Sequence, residues 1–499
     1  MFSRSYQRQI FFIFCEVNAM ALTPLTFKGG VHMDEHKNTR RSQVAAMTPP
    51  DEVIIPMSQH IGAPCTPVVA VGDKVDRAQI IGEVGGGLGC PVHSSISGTV
   101  KAIADSLMPN GMRISCVRIQ SDGEMRLSPD IKPFAKRLSD TSSDEIIDII
   151  RKAGISGMGG AAFPTYAKIQ SGIGKAERLI INCAECEPYI TANHRLLLEN
   201  PASVINGAKI LLKAFGLRKA EIAVEDNKRD AIDKLEELTA DTELIEIKTL
   251  RTKYPQGDER QLIYALTGRE LPAGKLPADL GCVIFNAETA SAIFNAFAKG
   301  MPLIERIVTV DGDCIKRPMN VLAPIGTKIS SLIDFCGGLI AEPKKIINGG
   351  PMMGAAQWDP DAPITKGTSA ILVFSAKACA AYEQPPVCIH CGKCLTVCQM
   401  HLMPTKLAMF SAAGRLDLCE QYDAMSCVEC GACTYICPGY VPITQYIRAA
   451  KAKINEIKKA RAAAAAANRP SAPNSAEIKS PASAENNKND NKQTGGDAK

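Results

Sequence analysis

The sequence predicts a multidomain α/β chain, on three observations. Strand-like and helix-like runs alternate from Arg178 to Lys299, the pattern of a parallel sheet covered by helices. Short β-rich pieces with glycine at the corners occupy Ile54 to about Ser121, as in a small sandwich or barrel. Near the C-terminus eight cysteines form two runs of identical spacing. A chain of 499 residues has room for about three or four domains.

Residues 1–50 read as an N-terminal extension with few structural signals beyond Phe27-Lys28-Gly29-Gly30-Val31-His32. The apolar patch Ile10–Cys15 is short, is cut by Glu16 and lacks a cleavage site, which speaks against a signal peptide. Met20 is a candidate initiator. Residues 51–125 form the β domain, with runs at Pro67–Val75, Gln79–Gly82 and Pro91–Val100. They resemble the barrel-sandwich hairpin of biotinyl and lipoyl domains. The tip reads His93-Ser94-Ser95. It has no lysine to carry a swinging arm, so the expectation is a structural copy without that cofactor.

Residues 140–300 form the α/β domain. Its first helix is capped by Ser142 or Ser143, has Asp144 and Glu145 in its first turn, and carries Ile146, Ile147, Ile149 and Ile150 on its apolar face. Strands are expected at Leu179–Asn182, Glu221–Glu225, Leu244–Thr249 and Cys282–Asn286. Helices are expected at Ala202–Phe215, Arg229–Leu238, Glu259–Thr267 and Thr289–Lys299. Residues 301–375 turn β-rich again, with Asp311-Gly312-Asp313 as a hairpin turn, and suggest a β-grasp-like domain. Residues 380–448 hold the cysteines. Residues 449–499 are a tail: an exposed Ala/Lys-rich helix over Ile447–Ala467, then a segment from Asn468 with almost no large apolar residues. Such a segment cannot bury enough surface to offset its ordering entropy, so disorder is expected.

The cysteine runs are Cys388, Cys391, Cys394, Cys398 and Cys427, Cys430, Cys433, Cys437. Each reads C-x2-C-x2-C-x3-C, the spacing of a two-cluster bacterial ferredoxin, in which the fourth cysteine of each run ligates the other cluster. On that pattern Cys388, Cys391, Cys394 and Cys437 hold one [4Fe-4S] cluster. Cys427, Cys430, Cys433 and Cys398 hold the second. Zinc also takes thiolates, but zinc ribbons use C-x2-C pairs separated by a longer loop. Pro438 follows the second run, whereas Gln399 follows the first.

Nineteen cysteines among 499 residues raise the question of disulfides. Cluster-type spacing argues instead for a reducing cytoplasm. The net charge is +5 and only 5% of residues are aromatic. The basic residues are scattered, so nucleic acid is not implied. No apolar run approaches the roughly 18–20 residues of a membrane helix, so any membrane association would run through partner proteins.

The second informative segment is Gly157-Met158-Gly159-Gly160-Ala161-Ala162-Phe163-Pro164-Thr165, with Lys168 just after. Small residues let backbone N–H groups approach an anion, and Lys168 adds a counter-charge. It is neither a Walker loop nor a G-x-G-x-x-G turn after a strand. Simple loop flexibility is the competing explanation. Three polar segments sit at strand-to-helix turns: Asn182–Pro188, Tyr254–Glu259 and Asn286–Thr289. Strand ends are where open α/β sheets bind ligands, although each segment alone reads equally as a helix cap. Cys183 and Cys186 make an isolated C-x2-C and are taken as loop residues, since two further thiolates are missing.

The glycine loop resembles the FMN-binding loop of the NADH-oxidising subunit of respiratory complex I, and the three polar segments match that family's flavin and NADH segments in order. The β domain, this α/β domain and the double cysteine run together resemble the C subunits of Rnf/Rsx-type electron transport complexes. The resemblance spans roughly residues 24–450, and Cys183-Ala184-Glu185-Cys186-Glu187-Pro188-Tyr189 is specific to it. It implies a Rossmann-like flavin domain in which Gly157, Gly159, Gly160, Lys168, Asn182, Glu185, Asn286 and Thr289 hold FMN non-covalently. Phe163, Glu187 and Glu259 would face NADH, the two acids at ribose hydroxyls or the nicotinamide amide. Two positions depart from the complex I pattern: Ala184 replaces an aspartate and Met158 replaces the loop arginine.

The resemblance further implies a peripheral subunit on the cytoplasmic side of the inner membrane, joined to integral membrane subunits. Electrons would pass between NAD(H) and those subunits, coupled to Na+ or H+ movement. A flavin converts a two-electron hydride donor to a one-electron cluster chain. Two other readings use the same residues: a flavin-free iron–sulfur relay between soluble ferredoxin and the membrane subunits, and a soluble NADH:ferredoxin oxidoreductase.

Overall fold

The computed structural model describes residues 23–160, 162–380 and 385–467. The expectations for Ile10–Cys15, Met20 and the tail from Asn468 lie outside the described residues.

The segment from Leu25 to Ala46 does not stand apart as an extension. Leu25 bridges Leu250 and Val31 bridges Tyr254. His36 stacks on Tyr189 with ring centroids 4.9 Å apart. The Gly30 N–H donates to the Val397 carbonyl at 2.9 Å. Strand β1 (Ala45–Ala46) pairs in parallel with Val321 and Leu322. These contacts are all remote in sequence, and a two-residue strand has no period to read.

The β domain contains β2 (Glu52–Pro56), β3 (Thr66–Pro67), β4 (Lys74–Val75), β5 (Ile80–Glu83), β6 (Val92–His93), β7 (Gly98–Leu107) and β8 (Arg113–Ser121). They form two sheets, ordered β2-β8-β7-β4 and β3-β5-β6. Alternate residues on β2 and β8 point inward: Val53, Ile55, Val117 and Ile119 are fully buried in one core. The expected single strand Pro67–Val75 is broken. Asp73 closes a turn by accepting the Ala70 N–H at 2.8 Å, and Val68 and Val71 are left exposed. The β7–β8 hairpin extends well past the run ending at Val100. Its turn contains Asn110 and Gly111, a recognisable hairpin signal. The His93-Ser94-Ser95 tip is buried, and the Ser95 hydroxyl donates to the Ile325 carbonyl at 2.6 Å. This hairpin tip is a packing surface.

Helix α1 (Ser143–Lys152) begins with a capping box between Ser142 and Glu145, a device that contributes about 1 kcal/mol. Strands β9 (Arg178–Cys183), β10 (Ala220–Glu225), β11 (Ile245–Leu250) and β12 (Cys282–Asn286) pair only in parallel, in the order β11-β10-β9-β12. Five expected helices are present: α1 together with α4 (Pro201–Phe215), α5 (Arg229–Thr239), α6 (Glu259–Thr267) and α7 (Ala287–Lys299). Two more, α2 (Thr165–Gly172) and α3 (Ala192–Glu199), escape the sequence reading because they are short and weakly amphipathic. Helices α4 and α7 touch backbone to backbone at Gly207, where a Cβ would lie 1.9 Å from the Ala290 carbonyl oxygen.

The next sheet joins β1 to β13 (Glu305–Asp311), β14 (Met319–Pro324), β15 (Lys345–Asn348), β16 (Ala355–Gln357) and β17 (Ala370–Phe374), in the order β1-β14-β13-β17-β15-β16. β13 and β14 are antiparallel and β17 lies parallel to β13. Helix α8 (Ile329–Phe335) packs on it through Leu332 and Ile333. Asp311-Gly312-Asp313 begins a longer connection between β13 and β14 and is not itself a tight hairpin turn.

The cysteine-rich region carries α9 (Lys393–Thr396), α10 (Pro404–Ala412), α11 (Leu416–Gln421), α12 (Ala432–Tyr435) and the start of α13 (Ile443–Ala467). Aligning Cys388 on Cys427 shows a structural repeat. Gly392 and Gly431 have φ of +74° and +81°, His390 and Glu429 +55° and +58°, His401 and Tyr440 both +52°. Helix α13 starts earlier than expected, and Ile447 and Ala450 are buried, whereas residues 455–464 are exposed as expected. Among the described residues no helix is long and apolar enough to cross a membrane.

Candidate functional site

The glycine loop leaves α1 and is pinched at its base, where the Gly157 N–H donates to the Phe163 carbonyl at 2.8 Å. Gly159 has φ +94°, and a Cβ there would sit 2.9 Å from Asn286 Nδ2, so only glycine lets the loop rest on the start of α7. The Met158 N–H donates to Thr289 Oγ1 at 3.0 Å. The structure therefore brings Gly157, Gly159, Asn286 and Thr289 together. Gly160 looks onto open space, with nothing within 4 Å of a Cβ. Phe163 is 37% exposed. The Met158 side chain is buried and anchors the loop from beneath.

Lys168, on α2, lies beside this loop. Its ammonium is 2.7 Å from Glu259 Oε1, the first residue of α6, with both side chains about one-third exposed (32% and 40%). It also lies 5.5 Å from the centre of the Phe285 ring. The cation and the acid expected to contact different ligands are thus a pair.

The carboxyl ends of β9 and β12 are in register, Asn182 opposite Asn286. Asn286 caps α7 by accepting the Glu288 N–H. Asn182 donates to the Gly257 carbonyl at 2.9 Å and accepts the Ala184 N–H at 3.0 Å. It fastens the Tyr254–Glu259 loop to the strand end. Gln256 in that loop is wholly buried, and neither of its amide atoms has a partner.

Glu185 is placed differently from its sequence assignment. Its carboxylate accepts the Asn193 and His194 N–H groups at the start of α3, so it caps a helix. Around it lies a charge cluster that sequence reading missed. Glu225 accepts from the Glu185 N–H and from Lys228 Nζ, the latter at 2.6 Å. Burial opposes the charge on Lys228, but Glu225 and Glu185 outweigh it and hold its pKa above the usual value. Lys37 donates to the carbonyls of Glu185, Glu187 and Ile190; burial lowers its pKa. Glu225 ends β10 and Lys228 precedes α5, the strand-end signal already used for Asn182. Lys37 carries no comparable sequence signal.

Glu187 turns toward the 349–354 turn, where its carboxylate accepts the Met352 and Met353 N–H groups, both at 3.0 Å. Burial pushes its pKa up to about 7, against the pull of those two donors.

Among the described residues no three His, Cys, Asp or Glu side chains converge as ligands of a single metal ion, and the cysteines are free of disulfides. Two sets of four thiols instead surround separate cavities. One is lined by Cys388, Cys391, Cys394 and Cys437, the other by Cys398, Cys427, Cys430 and Cys433. Four thiols spread around a space suit a cubane better than a zinc ion, and the crossing of the fourth cysteine follows the spacing rule. The second cavity abuts the α/β domain: the Tyr254 hydroxyl donates to the Cys430 carbonyl at 2.6 Å. Val31, Tyr254, Val397 and Ala432 pack around this junction.

Comparison with known proteins agrees with this arrangement. Residues 25–124 match the family model of the RnfC barrel sandwich hybrid domain, and 150–295 that of the Nuo51 FMN-binding domain. Residues 307–356 match the SLBB domain and 387–440 the 4Fe-4S dicluster domain. The C subunit of the Na(+)-translocating ferredoxin:NAD(+) oxidoreductase complex of Acetobacterium woodii is 45% identical over 80% of this chain and 90% of its own length. Its counterpart in the proton-translocating ferredoxin:NAD(+) oxidoreductase complex of Clostridium ljungdahlii is 43% identical over 86% and 94%. The C subunit of the ion-translocating oxidoreductase complex of Rhodobacter capsulatus is 35% identical over 87% and 84%.

Proposed function

The chain belongs to the RnfC family, the C subunits of ion-translocating ferredoxin:NAD(+) oxidoreductase complexes, and from that premise we propose how its residues serve electron transfer. It is an oxidoreductase subunit that carries electrons between NAD(H) and the membrane subunits through FMN and two [4Fe-4S] clusters. Bound FMN exchanges electron pairs with NAD(H) and single electrons with clusters. Gly159 and Gly160 would present backbone N–H groups to the flavin phosphate, Gly157 closes the base of the loop through its bond to Phe163, and Lys168 would supply charge once its bond to Glu259 is shared. Asn286 and Thr289 hold the loop in place. Phe163 and Glu259 line the approach for the nicotinamide nucleotide. Glu185 and Glu187 act by shaping the Asn182–Pro188 segment, since their carboxylates are held by backbone donors.

The Tyr254–Cys430 hydrogen bond carries the reading. It couples a loop at the nucleotide-binding edge of the sheet to the wall of the second thiol cavity, so the cluster of Cys398, Cys427, Cys430 and Cys433 is the one nearest the flavin. The cluster of Cys388, Cys391, Cys394 and Cys437 is then the outward one. The all-parallel sheet supports a Rossmann-like flavin domain at 140–300. The antiparallel pair with a parallel closing strand supports a β-grasp-like domain at 301–375, and the buried-tip hairpin a lipoyl-like domain at 51–125. The ferredoxin domain occupies 380–448. The protein sits peripherally on the cytoplasmic face of the inner membrane, held by integral subunits, with soluble ferredoxin as a further redox partner. The relatives named for Na+ and for protons are 45% and 43% identical to this chain, so similarity in this protein does not separate the ions.

The test is anaerobic purification of the protein with iron, sulfide and flavin counted, followed by NADH. About eight irons and about one flavin per chain, bleached by NADH, are expected. Eight irons with no flavin after FMN reconstitution, and no response to NADH, would replace this reading with the flavin-free relay.

A further inference from the structure

The two halves of the cysteine-rich region repeat in backbone and in cysteine position, but they differ at the residue after the fourth cysteine. One half has Pro438 there and the other has Gln399. Each of these residues lines the cavity that its preceding cysteine enters: Pro438 the first, Gln399 the second. Proline at this position has no N–H to offer. A glutamine brings a side-chain amide with two donors.

Gln399 is only 6% exposed, and its Nε2 has no hydrogen-bond partner. Its Oε1 faces Cys430 Sγ at 3.6 Å. That contact needs a thiol hydrogen. Once Cys430 ligates iron it is a thiolate and accepts only, so the oxygen would then meet an electron-rich sulfur. Rotating the terminal amide by half a turn exchanges O and N, an exchange that costs no change in shape. It turns a repulsive contact into N–H···S and gives the orphaned Nε2 a partner. The N-terminal segment keeps water away: Gly29 packs against the Gln399 backbone, a Cβ there lying 3.4 Å from Gln399 N and Cα.

We propose that Gln399 is a positioning and tuning residue, whose side-chain amide donates a hydrogen bond to the Cys430 sulfur of the second cluster and raises that cluster's midpoint potential. Hydrogen bonds to sulfur offset the extra negative charge of the reduced cluster, which makes them a main determinant of potential. The second cluster thereby gains a donor that the equivalent position of the first, Pro438, does not supply. This inference rests on the cluster reading of the eight cysteines.

The experiment is an anaerobic redox titration of the full chain with both clusters loaded, followed by EPR. The second cluster's signal is assigned by its loss in Cys430→Ser. Gln399→Leu is expected to lower that cluster's midpoint, with a several-fold to tenfold drop in its reduced:oxidised ratio at fixed potential. Tenfold corresponds to about 59 mV for one electron. The first cluster's curve is expected to stay in place. Pro438→Gln, which installs a donor at the equivalent position, is expected to raise the first cluster's midpoint. A Gln399→Leu titration that superimposes on wild type, with both signals intact, overturns the proposal. If the leucine variant loses iron, Gln399→Met, of similar length and without a donor, is titrated in its place and read the same way. Pulsed EPR on wild-type protein exchanged into D2O needs no variant, and the lack of any exchangeable deuteron coupling at the second cluster also overturns it. Absence of both reduced-cluster signals in wild type would instead refute the cluster reading itself.

Discussion

The two halves of the cysteine-rich region share a spacing, a set of left-handed backbone positions and a short helix that carries the third cysteine. They do not share an environment. Cys388 and Cys391 are exposed, whereas Cys427, Cys430, Cys433 and Cys437 are all partly covered. The second half is gripped from several sides. Tyr254 reaches the Cys430 carbonyl, Arg448 pairs with Glu429 at 3.0 Å, and Lys451 donates to the Cys427 carbonyl at 2.7 Å. Local sequence sets the geometry of a four-thiol site, but the surrounding domains decide how much of it is covered.

The largest test of this asymmetry removes a ligand from each side. Cys430→Ser and Cys388→Ser should each reduce iron from about eight to about four per chain. In Cys430→Ser, NADH should no longer bleach the remaining cluster rapidly. In Cys388→Ser, the remaining cluster should still respond. Equal behaviour of the two variants in stopped-flow absorbance would mean the inward and outward assignments are wrong.

A smaller effect is expected at the junction. Tyr254→Phe removes the donor to a part-buried carbonyl, at a cost of about 1–2 kcal/mol. The unfolding free energy from denaturant titration should fall by that amount, and reduction of the second cluster by NADH should slow while iron content holds. An unchanged reduction rate would show that Tyr254 braces the domains without mattering to transfer between them.

Glu187 offers a pH handle on the same junction. Its pKa is raised to about 7 from the ordinary 4.5, so between those values the folded protein holds a proton that the unfolded chain releases. Its contribution to stability is therefore fully present below about pH 4.5 and is lost as pH rises through about 7. Urea midpoints measured across pH 5 to 8 should slope downward. Glu187→Gln should flatten that slope. A parallel slope in the variant would assign the titration to another group.

The smallest expected effect compares two threonines. Thr405 Oγ1 lies 2.9 Å from Cys394 Sγ, while Thr444 Oγ1 lies 3.7 Å from Cys433 Sγ and is shared with Thr434. Thr405→Val should move the first cluster's midpoint more than Thr444→Val moves the second. The reverse order in an EPR titration would mean that hydroxyl–sulfur distance does not set the size of the shift.

Much of this was legible in the sequence because the signals are local. Cysteine spacing alone separates the two sets of four that line the two cavities. Strand and helix alternation anticipates the four parallel strands within a residue or two. What escaped is non-local. Lys37 finds its three carbonyls far along the chain, the nearest in sequence 148 residues away. Glu185 and Glu187 read as free acids at a strand end, yet each carboxylate ends on backbone N–H groups that only the fold brings near. The Pro67–Val75 run has the composition of a strand, but Asp73 bonds back to Ala70 and turns the chain. Met158 sits at an expected ligand contact, and its apolar side chain turns into the core, where an arginine would be poorly solvated.

The segment from Leu25 to Ala46 has a consequence for how this protein is made. It leaves the ribosome before every one of its seats. The Thr39 carbonyl awaits Asn320, 281 residues on, β1 awaits β14, and Gly30 awaits Val397 beside the first cysteine run. During synthesis these seats emerge in order: Tyr189 and Leu250 first, Asn320 next, and Val397 with Gln399 last. Its contact with Gln399 forms only after the first cysteine run has emerged. The contacts of Gly30 with Val397 and of Gly29 with Gln399 are therefore the last of these to become available.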